Sequence, residues 1–140
     1  RYMAKISGPL LDRIDIHIEV PAVKYKELSS KSFGEKSEDI RKRVIAARQV
    51  QLDRFKDYKN VFNNGDMGSK EVRTFCKLDE QGEELLKMAM TKLGLSARAY
   101  DRILKVSRTI ADLECSENIL PQHISEAIQY RSLDRELWKH

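Results

Sequence analysis

The sequence predicts a mainly α fold, a helical bundle preceded by a short turn and one β-strand. Three stretches, residues 38–58, 80–93 and 97–114, repeat apolar residues every three or four positions, the spacing of a helix with one buried face. Residues 14–20 instead alternate between apolar and polar side chains, as a half-buried strand does. Most of the 140 residues therefore belong to helices.

The first twenty residues contain a turn, a predicted anchor and the strand. Gly8-Pro9 predicts the turn, and Leu10 and Leu11 can anchor a short helical turn that presents Arg13. An arginine fixed in this way suits a phosphate or carboxylate, but composition alone favours a surface ion pair with Asp12 or Asp15.

The alternation after Arg13 predicts which side chains of the strand are buried. Its apolar face comprises Ile14, Ile16, Ile18 and Val20, and His17 lies on the other face, toward solvent or a partner. A single strand needs a neighbour for its backbone hydrogen bonds. Residues 1–22 are therefore predicted to be the end of a sheet domain whose other strands lie elsewhere.

Polar residues 23–36 read as a linker, and residues 37–140 as the helical domain. Ser37 is the predicted N-cap of a helix over 38–58, with Glu38 and Asp39 in its first turn. The other faces of this helix are rich in basic residues: Arg41, Lys42, Arg43, Arg48, Arg54 and Lys56. Such a surface is usually solvated, and a nucleic-acid track is the minority interpretation.

The remaining helices carry recognisable start and stop residues. Asp79 is the predicted cap of a helix that ends at Leu93, with Gly94 just after it. Ser96 is the predicted cap of the helix over 97–114, and Pro121 predicts the first turn of another. The middle helix is apolar over half its circumference and polar on the opposite side, at Arg98, Asp101, Arg102, Lys105, Arg108, Thr109 and Asp112.

Composition excludes several classes of protein. The net charge of +4 permits contact with nucleic acid or nucleotide without requiring it. Cys76 and Cys115 are isolated, so neither a zinc site nor a disulfide framework is predicted. No membrane span or signal peptide is evident, which predicts a cytoplasmic location.

Motifs for self-contained catalysis are absent from the sequence. It contains no phosphate-binding glycine loop and no nucleophile elbow, and neither His17 nor His123 has an evident catalytic partner. The candidates that remain are arginines at positions that suit anions: Arg13 on its turn and Arg98 in the first turn of a capped helix.

The motifs together resemble a known family, the magnesium-chelatase-like AAA+ ATPases of the ComM/YifB type. The resemblance rests on Ile6-Ser-Gly-Pro-Leu-Leu-Asp-Arg-Ile-Asp-Ile-His-Ile-Glu-Val-Pro21 and above all on Leu95-Ser-Ala-Arg-Ala-Tyr-Asp-Arg-Ile-Leu-Lys-Val-Ser-Arg-Thr-Ile-Ala-Asp-Leu113. Shorter matches lie at residues 40–51, 123–131 and 133–135. The resemblance covers essentially the whole chain.

This resemblance implies a fold and an activity. In the family, an αβα core binds ATP and Mg²⁺, a helical lid follows it, and protomers assemble into a ring, typically a hexamer. Arg13 matches the arginine finger offered to the γ-phosphate of a neighbouring protomer. Arg98 matches the sensor-2 arginine of the lid. A finger of this kind is worth ~10³ to 10⁵ in rate.

The sequence also departs from the complete family pattern. It lacks Walker A and Walker B motifs, so it is expected to be a C-terminal piece that binds no nucleotide and hydrolyses no ATP by itself. Arg102, Lys105 and Arg108 are possible DNA or phosphate contacts, although a solvated stripe explains them better. No metal ligand is predicted.

Three functions stay open at this point. The first is the lid and finger portion of a ring ATPase acting on DNA, since ComM-type members are implicated in branch migration during natural transformation. The second is the same module in a chelatase-type motor that acts on a protein partner. The third is a stand-alone basic helical module that binds nucleic acid, against which the missing aromatic and glycine-rich motifs count.

Overall fold

A computed structural model describes residues 8–18, 20 and 34–131 of the chain, with the side chains of residues 11 and 12 left aside. Its helices, in chain order, are α1 (Gly8–Arg13), α2 (Ser37–Arg54), α3 (Ser69–Phe75), α4 (Glu80–Leu93), α5 (Ala97–Leu113) and α6 (Pro121–Gln129). A 3₁₀ turn, Asn64–Asp66, lies between α2 and α3. The predicted mainly α class is confirmed.

Helix α5 is the centre of the bundle. It contacts α6, α2, α3, α1 and the 3₁₀ turn. Its residues Ala99, Ile103 and Ala111 are completely buried. The apolar core around them is built from one or more side chains of each helix from α3 to α6 and from the connections between helices: Phe55, Val61, Met67, Val72, Cys76, Leu86, Leu104, Ile119, Ile124 and Ala127.

Local signals explain where most helices begin and end. The Asp79 carboxylate accepts a hydrogen bond from the Gly82 amide at 2.7 Å, and Gly94 closes α4 with a φ of 61°. This left-handed conformation suits glycine because it has no Cβ. Pro121 lies in the first turn of α6. The predicted caps at Asp79 and Gly94 are confirmed.

Helix α2 corrects one cap and one boundary. Its N-cap is Lys36, without a side-chain hydrogen bond, and Ser37 is already helical. The helix ends at Arg54, four residues before the predicted end, and Phe55 begins an aromatic cluster with Tyr58 and Phe75. Burial of the Phe55 ring against these neighbours favours a turn over another helical residue at this point.

The predicted strand is wrong for its described residues, 14–18 and 20, which form no strand. The predicted burial is wrong as well. Ile14, Ile16, Ile18 and Val20 are exposed, and so is Asp15, whereas His17 is the one buried residue among 14–18 and 20. The His17 amide donates to the Tyr130 carbonyl oxygen at 2.6 Å. The segment is therefore anchored at His17 rather than along one face, and no described strand lies beside it.

Two further predictions have no structural outcome. The division into residues 1–22, 23–36 and 37–140 stays a prediction, and most of its linker lies outside the described residues. The C-terminal residues 132–140 also lie outside them. Within the described part of the chain, no helix combines the length and hydropathy required to cross a membrane.

Candidate functional site

The start of α5 presents Arg98 to solvent. The Ser96 hydroxyl caps the helix by accepting a hydrogen bond from the Ala99 amide at 3.2 Å. The first turn contains no acidic residue, so no carboxylate of the helix offsets the positive end of its dipole. Arg98 is exposed, and its guanidinium bonds to none of the described residues. It is placed to meet an anion.

Arg13 is the last residue of α1 and is also exposed. Its side chain bonds to no described residue. The simpler interpretation, an ion pair with Asp15, is wrong, because the Asp15 carboxylate binds Arg102. The alternative pair with Asp12 falls on a side chain outside the described set. Arg13 therefore retains the exposure that an anion contact requires.

Arg102 and Lys105 follow Arg98 along α5 but have partners within the chain. An Nη1–Oδ1 distance of 2.5 Å joins Arg102 to Asp15, and both side chains are partly exposed. The Lys105 ammonium donates to the Gly65 carbonyl oxygen at 3.3 Å. A contact with DNA or phosphate would compete with these bonds.

Arg108 does not fit a DNA contact, because its side chain is buried. The predicted solvated stripe is wrong here: Arg108 is 5% and Asp112 is 2% exposed. Arg108 donates to the Asp112 carboxylate at 3.2 Å and to the carbonyl oxygens of Ser116 and Glu117. Burial lowers the pKa of Arg108, and the Asp112 charge opposes this shift.

Helix α2 completes this buried network. Arg54 grips Asp112 with two hydrogen bonds, at 2.7 and 2.8 Å, in the bidentate geometry that an arginine and a carboxylate favour. The Asn64 amide donates to the same carboxylate at 2.8 Å. Asp112 therefore holds two guanidinium groups and one amide at the junction of α5, α2 and the 3₁₀ turn. The helical patterns in the sequence do not predict this cluster.

His123 is buried at the start of α6. The buried His123 ring accepts a hydrogen bond from the Leu120 amide through Nδ1 at 2.9 Å and contacts Glu114 through Nε2. This arrangement completes the start of α6, which leaves both ring nitrogens with structural partners. For His123, these contacts agree with the prediction of an ordinary polar residue.

An open groove lies beside the start of α5. Its volume is about 870 Å³, and it runs between α3, α4 and α5. Val72, Cys76 and Leu104 line it together with the charged residues Arg73 and Asp101. Arg98 does not line this groove. The groove and the exposed cation at the helix start are therefore separate features.

The described residues fit only part of the ATP and Mg²⁺ that the resemblance implies. Exposed guanidinium groups suit phosphate oxygens, and Arg13 and Arg98 supply two of them. Within residues 8–18, 20 and 34–131, no group of three or more His, Cys, Asp or Glu side chains could hold a metal ion. This part of the chain can contact phosphate but offers no cluster for the metal.

Comparison with known proteins gives concordant matches over the two parts of the sequence. A family model described as magnesium chelatase, subunit ChlI C-terminal, matches residues 34–131. A second model, magnesium chelatase, subunit ChlI, matches residues 1–28.

Individual relatives match almost the whole chain. Competence protein ComM of Haemophilus influenzae is 43% identical over 140 residues, which is 99% of this chain and 26% of that protein. Protein YifB of Escherichia coli is 43% identical over 136 residues, again 26% of its length. The chain spans about a quarter of the length of these relatives.

Proposed function

The chain belongs to the magnesium-chelatase family in its ComM/YifB type, and from that premise we propose that it is the C-terminal segment of a ring-forming AAA+ ATPase. In this proposal Arg98 acts as the sensor-2 arginine toward ATP bound to its own protomer, and Arg13 acts as the finger toward a neighbouring protomer. ATP and Mg²⁺ bind elsewhere in the same protein.

The observation that carries the proposal is the contrast in partners among the arginines of α5. Arg98 alone of the three is exposed and bonds to no described residue, whereas Arg102 and Arg108 are held by carboxylates. A guanidinium at a capped helix start supports binding of phosphate by charge and by geometry. Its match to the family motif supplies the role.

Arg13 supports the second half of the proposal. It lies on an exposed helix end and is followed at once by residues that pack on the bundle. A guanidinium held there can stabilise charge that develops on the transferred phosphoryl group. Because such a finger acts on a neighbouring protomer, the proposal requires a ring, for which we infer a hexamer.

We propose DNA as the substrate on which the ring acts. The name of the ComM relative, a competence protein, supports DNA remodelling, and branch migration is the activity we propose. The second candidate is a chelatase-type motor acting on a protein partner, which the magnesium chelatase descriptions of both matching models favour. The two candidates share the ATPase and differ in what stimulates it.

The test of the ATPase is made in the full-length protein that carries this segment. Arg13→Ala should lower turnover by ~10³-fold or more while ATP binding stays close to normal. Arg73→Ala, which removes an exposed arginine outside the proposed site, is the matched control. Normal turnover in Arg13→Ala would exclude the finger. The same loss in the Arg73→Ala control would show that the effect is not specific.

The test of the substrate uses the same protein with four-way DNA junctions. If the ring remodels DNA, junctions should stimulate ATP hydrolysis, and their arms should be separated by branch migration that consumes ATP. A chelatase-type motor predicts neither result. The 140-residue chain alone should bind DNA weakly and with a steep dependence on salt. Tight DNA binding by this chain alone would instead favour the stand-alone nucleic-acid module.

A further inference from the structure

Three bonds join residues 14–17 to the bundle, two of them through the backbone of these residues. The Arg131 guanidinium donates to the Ile14 carbonyl oxygen at 2.7 Å. Asp15 pairs with Arg102, and the His17 amide donates to the Tyr130 carbonyl oxygen. We call residues 14–17 the docked segment. It begins at the residue directly after Arg13.

These bonds differ in burial. Arg131 is 1% exposed, and its bond goes to a main-chain oxygen, so it holds the path of the chain independently of the side chain at position 14. The Asp15–Arg102 pair is partly exposed. Such a pair contributes little stability by itself, because water screens it. The pair therefore matters here for the two parts of the chain that it joins and not for its contribution to stability.

Arg102 ties the docked segment to the helix that carries Arg98. Residues four apart on a helix lie on one face, so Arg98 and Arg102 are neighbours on α5. Asp15 is two residues after Arg13. A short chain of covalent and ionic links thus joins the two exposed arginines: Arg13, Asp15, Arg102 and Arg98.

We propose that Arg102 and Arg131 are positioning residues for Arg13. They hold the backbone that follows the finger against α5 and α6, so that a shift of α5 when Arg98 meets nucleotide also moves Arg13. The inference rests on the proposed ATPase function. It adds a physical route by which the site of one protomer affects hydrolysis at the next.

The route has a defined energetic scale. Residues that carry coupling without touching a ligand typically change it by an amount that corresponds to about 2- to 30-fold in rate. Loss of Arg102 should therefore lower kcat much less than loss of Arg13. It should leave KM nearly unchanged, because Arg102 does not contact the nucleotide in this proposal.

The first experiment tests the docked segment in the 140-residue chain, without reference to ATP. Amide hydrogen exchange at His17 should accelerate at least tenfold in Arg131→Met and about two- to fivefold in Arg102→Ala, with the melting transition of the bundle retained in Arg102→Ala. Asp101→Asn, a change to the adjacent side chain, should leave the exchange rate unaltered. Unchanged exchange at His17 in Arg102→Ala would overturn the positioning role.

The second experiment measures ATP hydrolysis in the full-length protein. Arg102→Ala and Asp15→Ala should each lower kcat by about tenfold, with KM altered less than twofold. The exchanged pair Asp15→Arg with Arg102→Asp should recover at least half of the lost kcat. Wild-type kcat in Arg102→Ala, or no recovery in the exchanged pair, would overturn the coupling.

The two experiments fail separately. If Arg13→Ala retains normal turnover, the finger itself is wrong, whatever the exchange at His17 shows. If Arg13→Ala loses turnover and Arg102→Ala does not, the ATPase proposal stands and the positioning role falls.

Discussion

Arginine side chains at the two ends of α5 have opposite surroundings. Arg98, near the helix start, is exposed and bonds to none of the described residues, whereas Arg108, ten residues later, is buried among an aspartate and two carbonyl oxygens. The difference comes from what covers the helix. The 3₁₀ turn and the end of α2 pack over the second half, so its charges must be neutralised there.

This contrast assigns different consequences to similar side chains. Removal of a partner from the buried end leaves an uncompensated charge and lowers stability. Removal of Arg98 changes only what the helix start can bind. Equal changes in the free energy of unfolding on substitution at the two ends would contradict this contrast.

The largest effect is expected for Asp112→Asn. It removes the charge that Arg54 and Arg108 share, and the free energy of unfolding should fall by ~3–5 kcal/mol. Urea denaturation of the 140-residue chain measures it. Asp101→Asn, on the same helix but without a hydrogen bond to the described residues, should change stability by less than ~0.5 kcal/mol. Equal effects of the two substitutions would contradict a buried network.

The second effect concerns Cys76, whose thiol is close enough to Arg108 and Arg54 to feel their charges. Burial raises the pKa of Cys76 from 9.0 to about 11, although both arginines oppose the shift. Between these values the folded chain keeps a proton that the unfolded chain has lost, so stability falls as pH rises from about 9 to about 11. Over this range, titration of Cys76 should lower the free energy of unfolding by ~2–3 kcal/mol.

The measurement compares urea denaturation at pH 8.5 and above in the natural chain and in Cys76→Ala. Other groups titrate in both proteins, so the difference in slope isolates the thiol. Identical slopes in the natural chain and Cys76→Ala would contradict the raised pKa.

A smaller effect is expected for Ser96→Ala at the exposed end. The Ala99 amide loses its acceptor, which should cost ~1 kcal/mol in the free energy of unfolding. Ser96→Asp retains an acceptor at the N-cap and should keep most of the stability. Thermal denaturation of the natural chain, Ser96→Ala and Ser96→Asp measures these changes. A loss of stability in Ser96→Asp equal to that in Ser96→Ala would exclude capping as the cause.

The smallest effect on stability is expected for Arg98→Ala, below ~0.5 kcal/mol, because no described side chain depends on it. In the full-length protein the same substitution should weaken ATP hydrolysis or its response to nucleotide. A large fall in melting temperature would indicate a structural ion pair instead. Arg98→Lys separates charge from the planar geometry that a bidentate phosphate contact requires.

Local features of the fold could be predicted from sequence because their causes are local. Asp79, Gly94 and Ser96 each satisfy backbone groups within a few residues, so their roles follow from spacing alone. The amphipathic pattern of α5 likewise identified its buried apolar side. These signals do not depend on which helix packs where.

The buried network could not be predicted in this way. Arg108 and Asp112 are four residues apart, a spacing that is the same for a solvated pair and for a buried one. Asp112 also binds Arg54, which is 58 residues away in sequence, and the spacing within α5 cannot indicate this partner. Nothing in the helical pattern of α2 identifies Arg54 as the one basic residue that turns inward.

The strand predicted over residues 14–20 was wrong for a related reason. Alternation predicts a buried apolar face, but of the described residues 14–18 and 20 only His17 is buried. The carbonyl oxygen of Tyr130 and the guanidinium of Arg131 bond to the backbone of His17 and Ile14, and the alternating pattern does not predict these partners. Of the candidate site, the exposed positions of Arg98 and Arg13 agree with the sequence analysis, and their roles stay predictions.

The bond between Arg131 and Ile14 also bears on how the chain folds. It joins residues 117 positions apart, so closing that loop is entropically unfavourable until the helices between them have assembled. Residues 14–17 should therefore dock after α5 and α6 have formed, and they should detach in a local opening that leaves the bundle intact. The part of the chain next to Arg13 should therefore fold later, and open more readily, than the helices on which it rests.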